Sequence, residues 1–530
     1  MSMKKKILVS TIVLSLLLSV MLAAVGGKAT GKNENVKKTK IEYVSFVGGS
    51  GTPEDPYLIE NITQLQAMNQ NLSAHYALAN DINASGTSGW NNGKGFEPVG
   101  KYDEEKDVEF IGSLDGRNHT VSNLYIDRPD TDDVGLLGGT DDAVVKNIGL
   151  VDVNISGDGY VGGVVGMSHG TVENSYVTGD VNANHDAGIL IGENHELVSN
   201  SYTKGYVSAL GHVGGLMGEN SGTVENSDAS GNVTGNGSLG GLAGSTSGPI
   251  RNSYFTGDVS GDEHVGGLVG YNYGSMVSNS YAAGNVSGDE DVGGLVGVNY
   301  DFSTVENSYA ICHVIGKDHT VGGLVGRNDK SMVFSSYATG TVSGGKDVGG
   351  LVGSNFLYVS MVNNSYAIGN VSGDRNVGGL VGNNDATVSK SYAVGSVSGD
   401  RDVGGLVGRN IGTVSDSFWD VETSGQAKSN GGTGLNTREM IGENASKNMD
   451  GFDFNEIWEA VEEDDEDADE DGYPILQELS REEQVKHVYP VDPMEGVDEG
   501  SADGGVPGFK TMTLLLAVIT ALAIYQKKKR

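Results

Sequence analysis

The chain has a single cysteine, Cys312, in 530 residues, which excludes an intrachain disulfide framework. Proline is almost as rare, with nine residues, and aromatic side chains make up only 7% of the sequence. No stretch of residues 134–418 shows helical periodicity of its apolar residues over about ten positions, so helices are not expected there. Only 34 Lys and Arg stand against 70 Asp and Glu, and the net charge of −36 argues against nucleic acid as a partner.

The motifs of common catalytic centres are also missing. The sequence contains no His-Glu-x-x-His segment, which excludes a zincin-type peptidase site. Four histidines (His185, His212, His264 and His319) lie in variable loops without stacking consistently at one repeat position, and we interpret them as solvated. Cys312 has no repeated basic partner of the kind that activates a catalytic thiol. We therefore name no catalytic or cofactor-binding residue.

Glycine is abundant, with 83 residues, and it is arranged in a repeat. The segment 265–291, VGGLVGYNYGSMVSNSYAAGNVSGDED, has close copies from Val134 to about Phe418. Each copy is marked by the residue before its first glycine, and the eleven marks are 26 to 29 residues apart: Val134, Val161, Ala187, Val213, Leu239, Val265, Val292, Val321, Val348, Val377 and Val403. A fixed period of this length is typical of a solenoid or a propeller.

Each copy contains three short stretches that favour strands, separated by turn residues. In the copy above they cover residues 267–269, 276–281 and 285–287. A propeller blade needs four strands in about 40 residues, so three strands in a shorter period favour one coil of a β-helix. The predicted fold class is all-β, a right-handed parallel β-helix of about eleven coils with capping segments at both ends.

A serine followed by an aromatic residue recurs at one position of the repeat. The pair begins at Ser175, Ser201, Ser227, Ser253, Ser280, Ser308, Ser336, Ser365, Ser391 and Ser417, and its second residue is Tyr in eight of these ten copies. Asparagine precedes the serine in seven copies: Asn174, Asn200, Asn226, Asn252, Asn279, Asn307 and Asn364. Coils stacked about 4.8 Å apart would align these residues as stacked rings and hydrogen-bonded Asn ladders. The Gly-Gly pair favours close backbone approach or a positive φ.

The copies, of the form VGGLVGxNxGTVxNSYAxGNVSGD, resemble the GLUG repeat of bacterial and archaeal surface proteins. Residues 48–133 and 419–480 are similar to the segments that open and close such proteins, and a solenoid needs caps at both ends. The resemblance implies an exported, adhesin-like protein whose partners are cell-envelope glycans or surface proteins. Some members carry a separate peptidase domain, but this sequence has no His-Glu-x-x-His motif.

The two ends of the chain indicate export and anchoring. Residues 1–27 have a basic start and an apolar run typical of a signal peptide, with a retained transmembrane anchor as the alternative. A polar linker follows at 28–47, and an acidic spacer covers 481–505. Residues 506–530 contain Pro507, Gly508 and Phe509, an apolar run and a basic end. They resemble the archaeal PGF-CTERM sorting signal, which implies an archaeosortase-type enzyme that replaces the tail with a lipid; a plain membrane tail is the alternative.

One segment of the C-terminal cap has the spacing of a calcium loop. Asp467, Asp469 and Asp471 alternate before Gly472, and Glu478 stands at the twelfth position, as in an EF-hand. Pro474 and weak flanking helices oppose this interpretation, and a solvated acidic insertion is the alternative. Repeated aspartates in one turn of the array form an acidic edge, which favours a solvated surface over a weak Ca²⁺ site: Asp158, Asp262, Asp289, Asp374 and Asp400. Calcium is the one cofactor that the sequence suggests.

Sequons for N-glycosylation are frequent, as expected for a surface protein. They stand at Asn61, Asn71, Asn83, Asn118, Asn154, Asn232, Asn236, Asn285, Asn363, Asn370 and Asn444.

The predicted function is therefore that of an exported cell-surface solenoid, adhesin-like or structural, anchored through its C-terminus. One alternative is an enzyme acting on polysaccharide, because parallel β-helices host such enzymes; this rests on fold analogy. A glycosidase needs two carboxylates about 5 to 10 Å apart on one face, and the sequence gives no such pair. The other alternative is a calcium-dependent binding module.

Overall fold

The computed structural model describes residues 44–101, 108–462 and 471–488. The predicted signal peptide, most of the linker and the predicted sorting signal with Pro507, Gly508 and Phe509 lie outside these ranges. Within the described ranges, no helix is both long and apolar enough to cross a membrane.

The repeats form a parallel β-solenoid. Each copy contributes strands to two parallel sheets, and equivalent residues of successive copies pair in register, as Val269 does with Val296 and Val296 with Val325. The core between the sheets is filled by the repeated apolar positions, for example Leu268 and Val277, which are fully buried. The predicted all-β solenoid of about eleven coils is confirmed.

The first sheet receives one or two short strands from each coil. Its strands are Tyr57–Ile59, His75–Leu78, Ser113–Asp115, Leu137–Lys146, Val165–Glu173, Ile191–Asn194, Leu197–Ser199, Met217–Asn220, Thr223–Glu225, Ala243–Thr246, Ile250–Arg251, Val269–Tyr273, Met276–Ser278, Val296–Tyr300, Thr304–Glu306, Val325–Asp329, Met332–Phe334, Val352–Phe356, Met361–Asn363, Val381–Asn384, Thr387–Ser389, Val407–Asn410 and Thr413–Ser415.

The second sheet carries the rest of each coil. Its strands are Ile82–Asn83, Thr120–Ser122, Tyr125–Asp127, Gly149–Gly157, Tyr176–Ala183, Ala187–Gly188, Tyr202–Ala209, Val213–Gly214, Asp228–Gly235, Leu239–Gly240, Tyr254–Ser260, Glu263–Gly266, Tyr281–Gly293, Tyr309–Gly322, Tyr337–Ala338, Val342–Gly349, Tyr366–Ala367, Val371–Gly378, Tyr392–Ala393, Val397–Gly404, Phe418–Asp420 and Thr433–Leu435.

The predicted stretch 276–281 is interrupted by a turn. The strand Met276–Ser278 ends before Asn279, and the next strand begins at Tyr281 in the other sheet. Asn279 has a φ of 49°, in the left-handed region that asparagine tolerates better than most residues. The repeated asparagine is therefore a corner residue, and the three strands of a coil lie in two sheets.

The Gly-Gly pair forms another corner of the coil. Glycine is required there because no space is left for a side chain, and not because φ is positive. A Cβ on Gly267 would lie 2.0 Å from the Gly294 carbonyl oxygen of the next coil. A Cβ on Gly266 would lie 1.9 Å from the Val269 carbonyl oxygen. Of the two predicted reasons for this pair, close backbone approach is the correct one.

The serine column joins the coils by hydrogen bonds. The Ser253 amide donates to Ser280 Oγ at 3.1 Å, and Ser280 Oγ donates to the Ser278 carbonyl at 2.8 Å. The same pair of bonds recurs from Ser175 to Ser417, and these serines are buried. The serine amides lie at a corner, outside the hydrogen-bond ladder of the strands. The hydroxyl of the next coil gives each of these amides an acceptor.

The predicted stack of aromatic rings is present. The rings of Tyr254, Tyr281, Tyr309, Tyr337, Tyr366 and Tyr392 follow one another with centroids 4.9–5.1 Å apart and are nearly parallel. We call these six, together with Tyr176 and Tyr202, which stack at 4.8 Å, the tyrosine column. Asp228 takes the place of a ring between Tyr202 and Tyr254.

The predicted Asn ladder is at a different position of the repeat. At the corner position, one amide-to-amide bond is present among the described residues, from Asn252 Nδ2 to Asn226 Oδ1 at 3.3 Å, because the left-handed turn points these side chains outward. The continuous ladder lies in the first sheet, where each Nδ2 donates to the next Oδ1 at 2.8–2.9 Å. Its buried members are Asn272, Asn299, Asn328, Asn355, Asn384 and the partly buried Asn410. The prediction of the corner ladder was wrong, and the true ladder was missed.

The N-terminal cap combines a strand, a short helix and a 3-10 turn. The helix Ile62–Gln66 begins at Asn61, whose side chain accepts from the Gln64 amide, and the 3-10 turn Ala67–Gln70 follows. Leu65 and Met68 are fully buried in the core of the first coils. Two further 3-10 turns, Ser85–Gly89 and Asn91–Gly93, lie before the array.

The C-terminal cap covers both the last coil and one side of the solenoid. Its elements are the helices Val421–Ser424, Thr437–Met440, Gly442–Asn448 and Arg481–Val485, and an antiparallel pair, Trp458–Val461 with Gly472–Leu476. Trp419 closes the core at the last coil. Trp458 instead packs on Tyr366 and Tyr392 of the tyrosine column, and Val488 is buried. Whereas the predicted cap ended at 480, the packed structure continues into the predicted spacer.

Candidate functional site

Two columns of side chains face each other along the corner made by the Gly-Gly pair. The first, the loop column, is the residue before each repeat mark: Asp133, Tyr160, Asp186, His212, Ser238, His264, Asp291, Thr320, Asp347, Asn376 and Asp402. The second, the strand column, comes seven or fewer residues later in the first sheet: Gly139, Met167, Glu193, Glu219, Ser245, Tyr271, Val298, Arg327, Ser354, Asn383 and Arg409. These columns contain several of the partly buried charged side chains of the array.

One cluster on this corner brings together Asp186, His212 and Glu219. His212 Nδ1 lies 2.6 Å from Glu219 Oε1 and 3.1 Å from Asp186 Oδ1. The His212 backbone amide also donates to Asp186 Oδ1, at 2.6 Å. Asp186 belongs to the preceding coil, since Ala187 pairs with Val213, so the cluster is assembled across two coils.

The electrostatics of this cluster are dominated by its carboxylates. Contacts with Asp186 and then with Glu219 raise the pKa of His212 to about 10. Burial opposes ionisation of Asp186, but the contacts with His212 outweigh it and lower the pKa of that carboxyl. Burial and the nearby Glu193 and Glu219 raise the pKa of Tyr160 to about 12. The carboxylates therefore favour the cationic form of His212 at this point.

The neighbouring coils extend the cluster with a second histidine pair. Glu193 is in register with Glu219, and His195 Nε2 lies 2.9 Å from Glu193 Oε1. The rings of His169 and His195 stack with centroids 4.1 Å apart. Contact with Glu193 raises the pKa of His195, whereas burial lowers the pKa of His169. Adjacent register positions are about 4.8 Å apart, so Glu193 and Glu219 form a carboxylate pair that the sequence did not reveal.

The predicted solvation of the four histidines is half correct. His185 and His319 are exposed, as predicted. His212 and His264 are partly buried, and His264 contacts Tyr271 and lies 3.7 Å from Asp291. One sequence feature could have revealed the cluster. His212 stands one period after Asp186 and seven residues before Glu219.

The structure does not bring together the described residues of the predicted calcium loop. Asp467 and Asp469 lie outside the described ranges. Asp471 precedes and Glu478 follows the extended strand Gly472–Leu476, which alone spans about 16 Å. In an EF-hand, the same stretch of chain would have to curve around one ion so that both carboxylates reach it.

The predicted glycosylation sites are accessible in most cases. Nine of the eleven sequon asparagines are exposed, and Asn363 and Asn444 are partly buried. Asn363 Nδ2 also donates to Ser389 Oγ at 2.7 Å, which makes it a poorer acceptor than the exposed sites.

Comparison with known proteins identifies the repeats. Residues 261–287, 288–311 and 318–343 match the family model of the GLUG motif. The chain is 45% identical over 146 residues to halomucin of Haloquadratum walsbyi, a match covering 26% of this chain and 2% of that protein. It is 35% identical over 135 residues to a protein of Evansella cellulosilytica described as a Gly-rich membrane protein, covering 24% of this chain and 15% of the relative. The chain thus spans a small part of both relatives.

Two solved structures also match the chain, both with low TM-scores. One is described as an immunoglobulin A1 protease from Bacteroides ovatus, with 16% identity, coverage of 82% of this chain and 96% of that one, and a TM-score of 0.27. The other, an IgA1 protease, has 20% identity, covers 49% and 21% of the two chains, and has a TM-score of 0.34. Scores this low carry no functional argument. The family match shows that the solenoid contains GLUG repeats within residues 261–343.

Proposed function

We propose that this protein is exported and works at the cell surface as an adhesin-like or structural solenoid, held through its C-terminus. The observation that supports this most is the unbroken stack of coils. Ladders of serine and asparagine and a column of rings run through consecutive repeats. Both ends of the stack are covered by non-repeating caps, so the long sides are the surface offered to partners.

Two further features support a surface location. The relative from Evansella cellulosilytica is described as a membrane protein. The basic and apolar segments at residues 1–27 and 506–530 have the composition of an export signal and of a membrane or sorting segment. Cell-envelope glycans or surface proteins are the proposed partners, and an archaeosortase-type enzyme is the proposed processing partner.

The location is tested on intact cells that express the full chain. Treatment with an external protease should remove epitopes in the array while a cytoplasmic marker stays intact. Replacing Pro507, Gly508 and Phe509 by alanine should shift the protein from the membrane fraction or leave it unprocessed. An array that becomes cleavable only after lysis would contradict the proposal.

The binding role is tested with the purified full chain on glycan arrays and on soluble polysaccharides, with and without Ca²⁺. Retention without release of oligosaccharides supports an adhesin, and a calcium requirement supports the calcium-dependent module. The enzyme alternative has one observation in its favour, the register pair Glu193 and Glu219. Released oligosaccharides that disappear in Glu193→Gln or Glu219→Gln would replace the adhesin proposal by that alternative.

A further inference from the structure

In two adjacent coils of the described array, carboxylates of the loop and strand columns pair with histidine instead of lysine or arginine. Elsewhere along this corner, Asp291 lies 3.6 Å from Arg327, Asp347 lies 3.5 Å from Lys346, and Asp402 lies 3.7 Å from Arg375. Among the described residues, the ion-pair partners of Asp186, Glu193 and Glu219 are the imidazoles of His195 and His212 only. In later coils, Lys and Arg therefore neutralise the aspartates of this corner. In the two coils that contain Asp186, Glu193 and Glu219, only histidines pair with the carboxylates.

The donor atoms of this place converge. One ligand atom each from Asp186, His212 and Glu219 lies within 4.8 Å of the other two. His212 Nδ1 is closed off from solvent, and neither carboxylate oxygen beside it has the direction of a hydrogen bond. Asp186 Oδ1 does accept from the His212 backbone amide, but the ring nitrogen itself has no hydrogen bond to either carboxylate. A ring nitrogen and two carboxylate oxygens crowded together in this way have the arrangement of ligands around a common ion.

The spacing also fits a metal of ordinary size. Ligand atoms about 2.1 Å from an ion are about 3.0 Å from one another in octahedral geometry and about 3.4 Å in the tetrahedral geometry usual for zinc. The separation of 3.1 Å between His212 Nδ1 and Asp186 Oδ1 falls between these values, and that of 2.6 Å to Glu219 Oε1 is shorter. A shift of about 0.4–0.8 Å in the Glu219 side chain, which is 30% exposed, would complete the fit.

We propose that Asp186, His212 and Glu219 bind one divalent transition-metal ion of the zinc class. An imidazole nitrogen favours Zn²⁺, Co²⁺, Ni²⁺ or Cu²⁺ over Ca²⁺ and Mg²⁺, which prefer all-oxygen sites. The stacked coils hold Asp186 and His212 in register, so the site is largely preformed. The partly exposed side chains leave the remaining coordination positions open to water or to a donor from a partner molecule.

This site is independent of the proposed surface function and of the predicted calcium loop. It uses residues of the array only, whereas the calcium loop lies in the C-terminal cap. It also differs in the ion that it selects.

The test is metal binding by the purified full chain in an excess of Ca²⁺ and Mg²⁺, which occupy oxygen-only sites. Co²⁺ titration followed by visible absorption, with Zn²⁺ displacement, should show one specific equivalent per chain. His212→Gln should weaken that binding at least tenfold. The matched control His264→Gln changes the same column two coils further on, where Arg327 already neutralises Asp291. This variant should bind Co²⁺ with the affinity of the unchanged protein.

Glu219→Gln provides a second variant that keeps the size of the side chain, and it should also weaken binding at least tenfold. Circular dichroism of each metal-free variant shows whether the solenoid is intact. Co²⁺ affinity that is equal in the unchanged protein, His212→Gln and Glu219→Gln would overturn the proposal. So would an equal loss in His264→Gln, because the binding would then not depend on this cluster.

Discussion

Asp228 interrupts the tyrosine column, and its replacement should stabilise the solenoid. It is in register with Tyr202 on one side and Tyr254 on the other. Burial raises the pKa of Asp228 to about 6, although a hydrogen bond from Tyr254 acts in the opposite direction. The carboxylate is therefore less favourable in the folded state than in water, and Tyr202 keeps one ring face uncovered, with 44% of the residue exposed.

The pH dependence follows from that pKa. Folded Asp228 holds its proton more tightly than the unfolded chain, whose aspartates titrate near 3.8. Its contribution to the free energy of unfolding therefore falls as pH rises from about 4 to about 6 and is level above that. The full shift would correspond to about 3 kcal/mol, and solvent screening of this partly exposed group reduces it to about 1–2 kcal/mol.

Two variants separate charge from stacking. Asp228→Asn removes the charge and should stabilise the surrounding coils by about 1–2 kcal/mol at pH 7, with little effect at pH 4. Asp228→Tyr should add about 1–3 kcal/mol at pH 4, because it forms ring contacts with Tyr202 and Tyr254 worth about 0.5–1.5 kcal/mol each. At pH 7 it should add about 2–5 kcal/mol, because it also removes the charge.

Local hydrogen exchange is the suitable assay, because the stability of a solenoid is a sum over neighbouring repeats. Opening free energies of amides in residues 202–260 should rise in both variants, while amides near residue 400 should not change. Equal effects of Asp228→Asn at pH 4 and pH 7 would refute the electrostatic reasoning. A destabilised Asp228→Tyr would refute the stacking reasoning.

Three further predictions concern the interior. Ser280→Ala should lower the free energy of unfolding by about 1–3 kcal/mol in urea denaturation, because the Ser253 amide loses its acceptor. Asn299→Asp should cost at least about 3 kcal/mol in the same assay, because it places an uncompensated charge in the buried ladder. Cys312, whose thiol pKa is raised to about 12 by burial, should react with a thiol reagent only after unfolding.

The two substitutions each have a matched control variant. Ser287→Ala changes a hydroxyl that donates to the Ser260 hydroxyl at the surface, and should have less than half the effect of Ser280→Ala. Asn370→Asp places the same charge at an exposed position, where the carboxylate can still accept from the Ser396 amide, and should cost little. The Cys312 prediction would be contradicted if the thiol reacted as fast in the folded protein as after unfolding. That result would show that this coil opens readily.

The sequence by itself determined the period, the parallel stacking and the tyrosine column. These follow from repetition, since identical residues one coil apart must lie in register when coils stack. Sequence pattern did not place the corners, because the asparagine before Ser280 fits a strand ladder and a left-handed turn equally well. Only the backbone shows that Asn279 turns outward and that the buried ladder passes through Asn299 instead.

Two features were decided by the tertiary structure alone. The C-terminal cap lies along the tyrosine column as well as over the last coil, where the Tyr366 hydroxyl donates to Gln484, 118 residues away. The cluster of Asp186, His212 and Glu219 needs contacts both one coil back and seven residues forward. Such contacts depend on the tightness of the Gly-Gly corner and on side-chain direction. A repeat period fixes which residues are stacked, but not which columns face each other.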